Sequence, residues 1–296
     1  MKVLLTGAEG QLGRCFQDRC TDYLLIALNR AALDISDLNA VRAALARHQP
    51  DLIVNAAAYT AVDRAEQEVD RAFAVNRTGP ENLALGCAEQ GIALIHISTD
   101  YVFDGTASTA ATSGYKPDSP VSPLGVYGQS KWQGEEAVRR TLDKHLIIRT
   151  AWVFSEYGNN FVKTMLRLGS EREQLSVVND QWGCPTYAGQ LADAVLALLP
   201  LVKQPGFKGW GTQHFVGDRA LCWQQFAETI FTEAQALGVI NNIPSVLPIS
   251  TAQYPTPARR PAYSVLDTGG LKQLLQDQFA NDWQQGLRRV LAKLSA

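Results

Sequence analysis

Charge is scarce in this chain of 296 residues: Asp, Glu, Lys and Arg together make up 19%, and their signs nearly cancel to a net charge of −2. With no block of positive charge to release counterions from a phosphate backbone, nucleic acid is not an expected partner. Long apolar runs are missing as well. The richest stretch, 191–202, is broken by Asp193 and falls short of the ~20 residues that a membrane helix needs, so no membrane association is expected. The opening Met1-Lys2-Val3-Leu4-Leu5-Thr6-Gly7 is too brief an apolar run for an export signal, which makes the cytoplasm the expected compartment. Cys15, Cys20, Cys87, Cys184 and Cys222 form an odd set without a C-x-x-C pair, and the four histidines have no ligand spacing. Reduced, half-buried thiols and no metal follow. Internal repeats and low-complexity tracts are absent too.

At 46% hydrophobic residues the chain can bury a substantial core, and at ~150 residues per domain its length implies about two lobes. Short β-branched runs at 2–6, 24–28, 52–55, 93–98 and 145–150 alternate with helical-period segments at 11–20, 37–47, 64–90 and 128–141. That alternation gives parallel strands joined by crossover helices, and near-continuous apolar strands are buried on both faces. The expected fold is α/β: a Rossmann-type doubly wound parallel sheet with a smaller C-terminal substrate-binding lobe. After residue 150, turn chemistry such as Gly158-Asn159-Asn160 and Gly183-Cys184-Pro185 interleaves with helices near 161–169, 187–200 and 222–236. Strand-like pieces at 175–178 and 213–216 are candidates to rejoin the first sheet. The expected division is an NAD(P)-binding domain over 1–150, joined by segments near 183–217, and a substrate-binding lobe over 151–182 and 218–296.

Gly7-Ala8-Glu9-Gly10-Gln11-Leu12-Gly13 follows the first strand and opens a helix. Missing Cβ atoms let such a loop approach a pyrophosphate, while the helix N-terminus offers N–H groups and its dipole; Gly7, Gly10, Gln11, Leu12 and Gly13 are therefore candidate cofactor contacts. Asn29 and Arg30 end the second strand, where an NAD site often carries an acidic residue for the ribose 2′-hydroxyl. Arg30 can instead pair with a 2′-phosphate, which favours NADPH and leaves NADH open, or it is simply a solvated surface side chain. Asp34 and Ile35, together with Ala57, Ala58, Tyr59 and Thr60 after the third strand, lie where strand ends line the cofactor crevice. The alanines read equally as core filling or as room for the cofactor.

Tyr127 and Lys131 are four apart and share one helical face. A free phenol titrates near ~10, and a neighbouring ammonium is expected to lower that value and make the pair a usable acid/base. Thr99, at the end of the fourth strand, completes a three-part proton-transfer site with Tyr127 and Lys131.

These motifs resemble the extended short-chain dehydrogenase/reductases and, within them, the dTDP-4-dehydrorhamnose reductase family. The likeness runs through 7–13, 33–35, 54–63, 98–105 and 123–128, and extends through 149–154, 158–161, 179–186 and 255–261. It implies hydride transfer from NADPH to the C4 ketone of dTDP-4-dehydro-L-rhamnose, giving dTDP-L-rhamnose for polysaccharide. Tyr127 would protonate the oxygen that becomes the hydroxyl, Lys131 would hold the nicotinamide ribose, and Thr99 would hydrogen-bond the same oxygen. Asp100, Trp152, Asn160 and Arg260 would contact the substrate, Trp152 through the sugar face and Arg260 through the diphosphate. Some members pair into a homodimer through a metal held by carboxylates near the first helix and in the second lobe; Cys15 and Gln190 stand there instead, so no metal is expected and the oligomeric state stays open.

Two other readings remain beside the reductase. One is a non-catalytic regulatory subunit, since a relative of this family binds a methyltransferase-pathway synthetase while keeping the dinucleotide fold; intact Thr99, Tyr127 and Lys131 count against it. The other is a nucleotide-sugar epimerase or dehydratase. A dehydratase wants Asp-Glu after the Thr99 position, where this chain has Asp100-Tyr101.

Overall fold

The short apolar runs of the first half become the strands β1 (Lys2–Thr6), β2 (Leu24–Leu28), β3 (Leu52–Asn55), β4 (Ala93–Thr99) and β5 (His145–Thr150) in the computed structural model, which describes residues 1–106, 114–276 and 278–295. Residues 277 and 296 of the expected second lobe lie outside the described residues. Further along come β6 (Val153–Phe154), β7 (Gln174–Val178), β8 (Trp182–Gly183), β9 (Thr186–Tyr187), β10 (Gly211–His214), β11 (Leu221–Cys222) and β12 (Ser245–Ile249).

Six strands form one parallel sheet in the order β10-β5-β4-β3-β1-β2. The chain runs outward from β1 to β2, then resumes on the other side at β3. The topological switch point therefore lies between β1 and β3, where ligands bind in doubly wound sheets. Helices α1 (Gln11–Arg19), α2 (Leu38–His48), α3 (Val62–Ala65), α4 (Val69–Phe73), α5 (Gly79–Gln90) and α6 (Val126–Thr141) connect these strands. The later helices are α7 (Phe161–Glu171), α8 (Ala188–Val202), α9 (Trp223–Ala236), α10 (Gly269–Leu274) and α11 (Trp283–Ser295).

Each face of the sheet has its own apolar layer. Phe16 of α1 packs with Leu191 and Val195 of α8 on one face, and Val41, Leu83 and Val138 of α2, α5 and α6 cover the other. The α/β architecture is thus the doubly wound one that the alternation implies. A separate core, built from Phe154, Val162, Phe226, Phe231, Trp283 and Leu287, joins α7, α9 and α11. Here β7 pairs with β12, so the piece expected at 175–178 does not reach the large sheet, while β10 does, beside β5.

The helical segment expected over 64–90 is broken. It divides into α3, α4, a π-helical turn at Ala74–Thr78, and α5 with Pro80 in its first turn. The buried Asn76 explains the break: its Oδ1 accepts from Tyr59 N (2.8 Å), and its Nδ2 donates to Tyr59 O (3.0 Å) and Ser130 Oγ (3.1 Å). A π turn rotates this side chain inward to lock the loop after β3 against α6.

Candidate active site

The glycine loop is shaped by what its missing side chains permit. Gly7 adopts φ +72°, and a Cβ there would lie 2.5 Å from Ala57 N, so loop and β3 end are in direct contact. At Gly13 a Cβ would meet Gly7 O at 2.2 Å, so this glycine seats α1 under the loop and does not face the cleft. A Cβ at Gly10 would meet only Gly7 O, at 3.3 Å, which leaves space above the loop. Gly10 is the N-cap of α1 with no side-chain hydrogen bond and no acidic residue follows in the first turn, so the helix presents unsatisfied N–H groups there. Beneath, Asn55 Oδ1 accepts from Thr6 Oγ1 (2.7 Å) and Ala57 N (3.1 Å), tying the ends of β1 and β3 together.

A cleft of about 870 Å³ opens above this switch point. Of the residues singled out by sequence, Gly7, Gly10, Gln11, Leu12, Asn29, Arg30, Asp34, Ile35, Ala57, Ala58, Tyr59, Thr60, Thr99, Asp100, Tyr127, Lys131 and Trp152 all line it. Glu9, Arg64, Arg71, Tyr101 and Thr150 line it too and were not anticipated.

Tyr127 and Lys131 sit in the first two turns of α6, which begins at Val126 rather than at residue 128. The phenol of Tyr127 is pushed up to about 12 by burial, while a hydrogen bond with Thr99 pulls it down and the Asp100 carboxylate pushes it up. The expectation that Lys131 lowers this phenol is not what the structure shows. Lys131 is itself buried, which draws its ammonium down to about 8, partly offset by Glu135, and its Nζ donates to Ile97 O at 2.7 Å. Thr99 is the group that eases Tyr127. Its hydroxyl donates to Asp100 Oδ1 (3.1 Å) and accepts from Tyr101 N (3.2 Å), which fixes the turn after β4.

Behind Lys131, one helical turn on, the buried Glu135 is gripped by Arg149 (2.8 Å) and Arg139 (2.6 Å) and by the Ser98 hydroxyl. Burial alone would raise this carboxyl, but the two guanidinium groups hold it below its ordinary range. A sequence signal existed: Glu135 repeats the four-residue step from Lys131.

At the far end of the cleft two buried polar atoms, Asp100 Oδ2 and Thr150 Oγ1, have no hydrogen-bond partner among the described residues. Unsatisfied buried acceptors of this kind suit the hydroxyls of a polar ligand. Trp152 stands beside them at φ +47°, a rare conformation for a side chain of its size. It is held there by stacking on Trp223, with ring centroids 3.6 Å apart.

Asn160 and Arg260 are not in the cleft wall. Asn160 caps α7, and its Nδ2 donates to Gln11 Oε1 (3.0 Å) and Ser155 O (2.7 Å). Arg260 makes a two-pronged pair with Asp63 of α3 (3.1 and 2.8 Å). Cys15 is buried against α8, and Gln190 donates to Asp282 O (2.9 Å).

The whole chain, residues 1–296, matches the family described as RmlD substrate binding domain. A dTDP-4-dehydrorhamnose reductase of Aggregatibacter actinomycetemcomitans is 43% identical over 294 residues, covering 98% of each chain. Among solved structures, a dTDP-4-dehydrorhamnose reductase of Clostridium acetobutylicum superposes with a TM-score of 0.91 at 36% identity over 100% of both chains. The reductase of Bacillus anthracis, solved in complex with NADP, gives 0.88 at 36% identity over 99% of both.

Proposed function

The chain belongs to the dTDP-4-dehydrorhamnose reductase family, and from that we infer that it reduces the C4 ketone of dTDP-4-dehydro-L-rhamnose to dTDP-L-rhamnose, using NADPH. The observation that carries this reading is the meeting of Thr99, Tyr127 and Lys131 with the glycine loop in one cleft. The loop fits a dinucleotide, because the space over Gly10 and the uncapped N–H groups of α1 suit a pyrophosphate. When bound, the reduced nicotinamide supplies the hydride that adds to C4. Tyr127 gives its proton to the carbonyl oxygen as that carbon is reduced, and its high phenol value keeps it protonated across neutral pH. Thr99 hydrogen-bonds the same oxygen as negative charge gathers on it, its one hydroxyl proton turning to that oxygen from Asp100 Oδ1. Lys131, anchored on Ile97 O, turns its remaining N–H donors to the nicotinamide ribose. Asp100 Oδ2 and Thr150 Oγ1 take sugar hydroxyls, and Trp152 covers the sugar face.

The division into parts follows from the same reading. Residues 1–150 with 183–217 bind the dinucleotide, an assignment supported by β10 in the sheet and α8 on α1; residues 151–182 and 218–296 bind the sugar nucleotide. Among the described residues no helix is long and apolar enough to cross a membrane, and all five cysteines are free, which suits work in the reducing cytoplasm.

The test is to mix the purified chain with NADPH and enzymatically made dTDP-4-dehydro-L-rhamnose, following nicotinamide absorbance and product together. Stoichiometric oxidation with dTDP-L-rhamnose formed is expected, and Tyr127→Phe should slow turnover by at least roughly 100-fold while still binding NADPH. A folded chain that binds NADPH yet leaves the sugar untouched would sink the reading.

A further inference from the structure

Lys131 carries its charge where little compensates it. The residue is 1% exposed, and the one hydrogen bond that its Nζ makes among the described residues goes to Ile97 O, a neutral acceptor. A buried ammonium in such a place sheds its proton unless a negative charge lies near. Glu135, one turn further along α6, is that charge. It does not line the cleft, as Lys131 does, so it can act on a bound ligand only through its neighbour.

The carboxylate is fixed from every side. Arg149 grips it with two prongs (Nε to Oε1 at 3.0 Å, Nη2 to Oε2 at 2.8 Å), Arg139 Nη2 donates to Oε2 at 2.6 Å, and Ser98 Oγ donates to Oε1 at 2.5 Å. Ser98 and Arg149 are register partners on β4 and β5, so the sheet beneath α6 supplies both. Arg149 is itself locked: its Nη1 donates to Pro117 O (3.2 Å), and its guanidinium lies over the rings of Phe103 (5.1 Å) and Trp132 (5.8 Å). Successive residues of β4 thus hold successive turns of α6, Ile97 O taking Lys131 and Ser98 taking Glu135. A buried ion pair gains little over apolar side chains of the same volume, so stability alone does not account for a carboxylate here. The other titratable groups around Lys131 cannot replace it. Tyr127, one turn earlier, is pushed up and stays protonated, Asp100 acts on Tyr127, and His96 of β4 is held neutral, well below its ordinary value, by burial and then by the Lys131 charge. Arg139 and Arg149 are cations. Glu135 is the charge that offsets burial at Lys131.

We propose that Glu135 is a positioning residue of the reduction: clamped by Arg149, Arg139 and Ser98, it supplies the buried negative charge that keeps the Lys131 ammonium charged and held on Ile97 O, ready for the nicotinamide ribose. The proposal rests on the reductase reading given above.

The test follows the Lys131 Cε resonance through a pH titration of the isotope-labelled chain without cofactor, the signal being assigned by its loss in Lys131→Met. The wild-type midpoint should lie at about 8. In Glu135→Gln it should fall by at least about one pH unit, and in Glu135→Asp, which keeps the charge, it should stay near the wild type. Because the charged form is lost as pH rises, kcat at saturating NADPH and sugar nucleotide should decline on the basic side with the same midpoint and move with it. If Glu135→Gln does not fold because Arg149 is left unpaired, Glu135→Gln combined with Arg149→Met removes both buried charges, and the same downward shift is expected there. An unmoved midpoint in the folded variant, or a basic limb of kcat that stays in place while the midpoint moves, overturns the proposal. The titration needs neither cofactor nor turnover. A chain whose Lys131 midpoint moves as expected but that reduces nothing loses the reductase reading, and one that reduces the sugar with an unmoved midpoint loses the proposal alone.

Discussion

Asp100 sets function against stability within a single side chain. Its carboxyl is buried, its Oδ2 has no partner among the described residues, and burial pushes it up to about 6, although the nearby Ser264 hydroxyl and the Thr99 hydroxyl on Oδ1 work the other way. Because this value lies above the 3.8 of an ordinary Asp, the folded state prefers the protonated form. The associated stability is full below the ordinary value and is lost as pH rises through about 6. Asp100→Asn keeps the shape without the charge. It should therefore stabilise the fold by roughly 2 kcal/mol at pH 8, raising Tm by several degrees, and lose that advantage near pH 4. Thermal melts at the two pH values check this; an equal Tm at pH 8 would mean that the carboxylate is already satisfied. At this scale the sequence was informative where chemistry follows spacing, as for Tyr127 and Lys131. It was silent on Thr150, whose orphaned hydroxyl exists only once β5 is packed.

Elements place side chains where local preference alone would not. Trp152 follows β5 at positive φ, and its ring fits because β8 offers Gly183: a Cβ there would sit 2.6 Å from the indole. Gly183→Ala should therefore push Trp152 off its stack on Trp223. We expect KM for the sugar nucleotide to rise roughly tenfold, about 1.4 kcal/mol of lost binding, with NADPH affinity unchanged and a shifted tryptophan emission. Unaltered emission and KM would show that the indole tolerates the methyl group. The same scale explains the misread segment at 64–90. Apolar periodicity is continuous there, but a tertiary hydrogen-bond site for Asn76 outweighs it and breaks the helix. The late elements β12, α10 and α11 passed unnoticed because turn-rich and amphipathic stretches gain their structure from tertiary packing, β12 and α11 on the second core and α10 on the first.

For the molecule as a whole, a crossing strap ties a late segment of the chain back to the elements that follow β3 and β4. Segment 255–261 reaches back to α3 through Arg260 and Asp63, and packs on Gly105, where a Cβ would lie 2.7 Å from Pro261. The pair is part-exposed, so Arg260→Ala should cost no more than about 1 kcal/mol of stability. It should nevertheless raise KM for the sugar nucleotide and leave dinucleotide binding intact, because Asp63, set between the cleft-lining Val62 and Arg64, loses the partner that holds it in place. Equal losses for both ligands would place Arg260 in the general fold instead.

By itself the sequence determined the alternation of strands and helices, the glycine loop, and the Thr99, Tyr127 and Lys131 set, because backbone propensity, missing Cβ atoms and a four-residue helical step are local properties. Which charges meet was decided only by the tertiary structure. Glu9 and Asn29 are twenty positions apart yet share a hydrogen bond, Lys131 is tuned by burial and Glu135 and does not itself tune Tyr127, and Arg260 answers to Asp63 across 197 positions. Desolvation and pairing energies depend on distance in space, which a linear pattern does not encode until the chain has closed its cores.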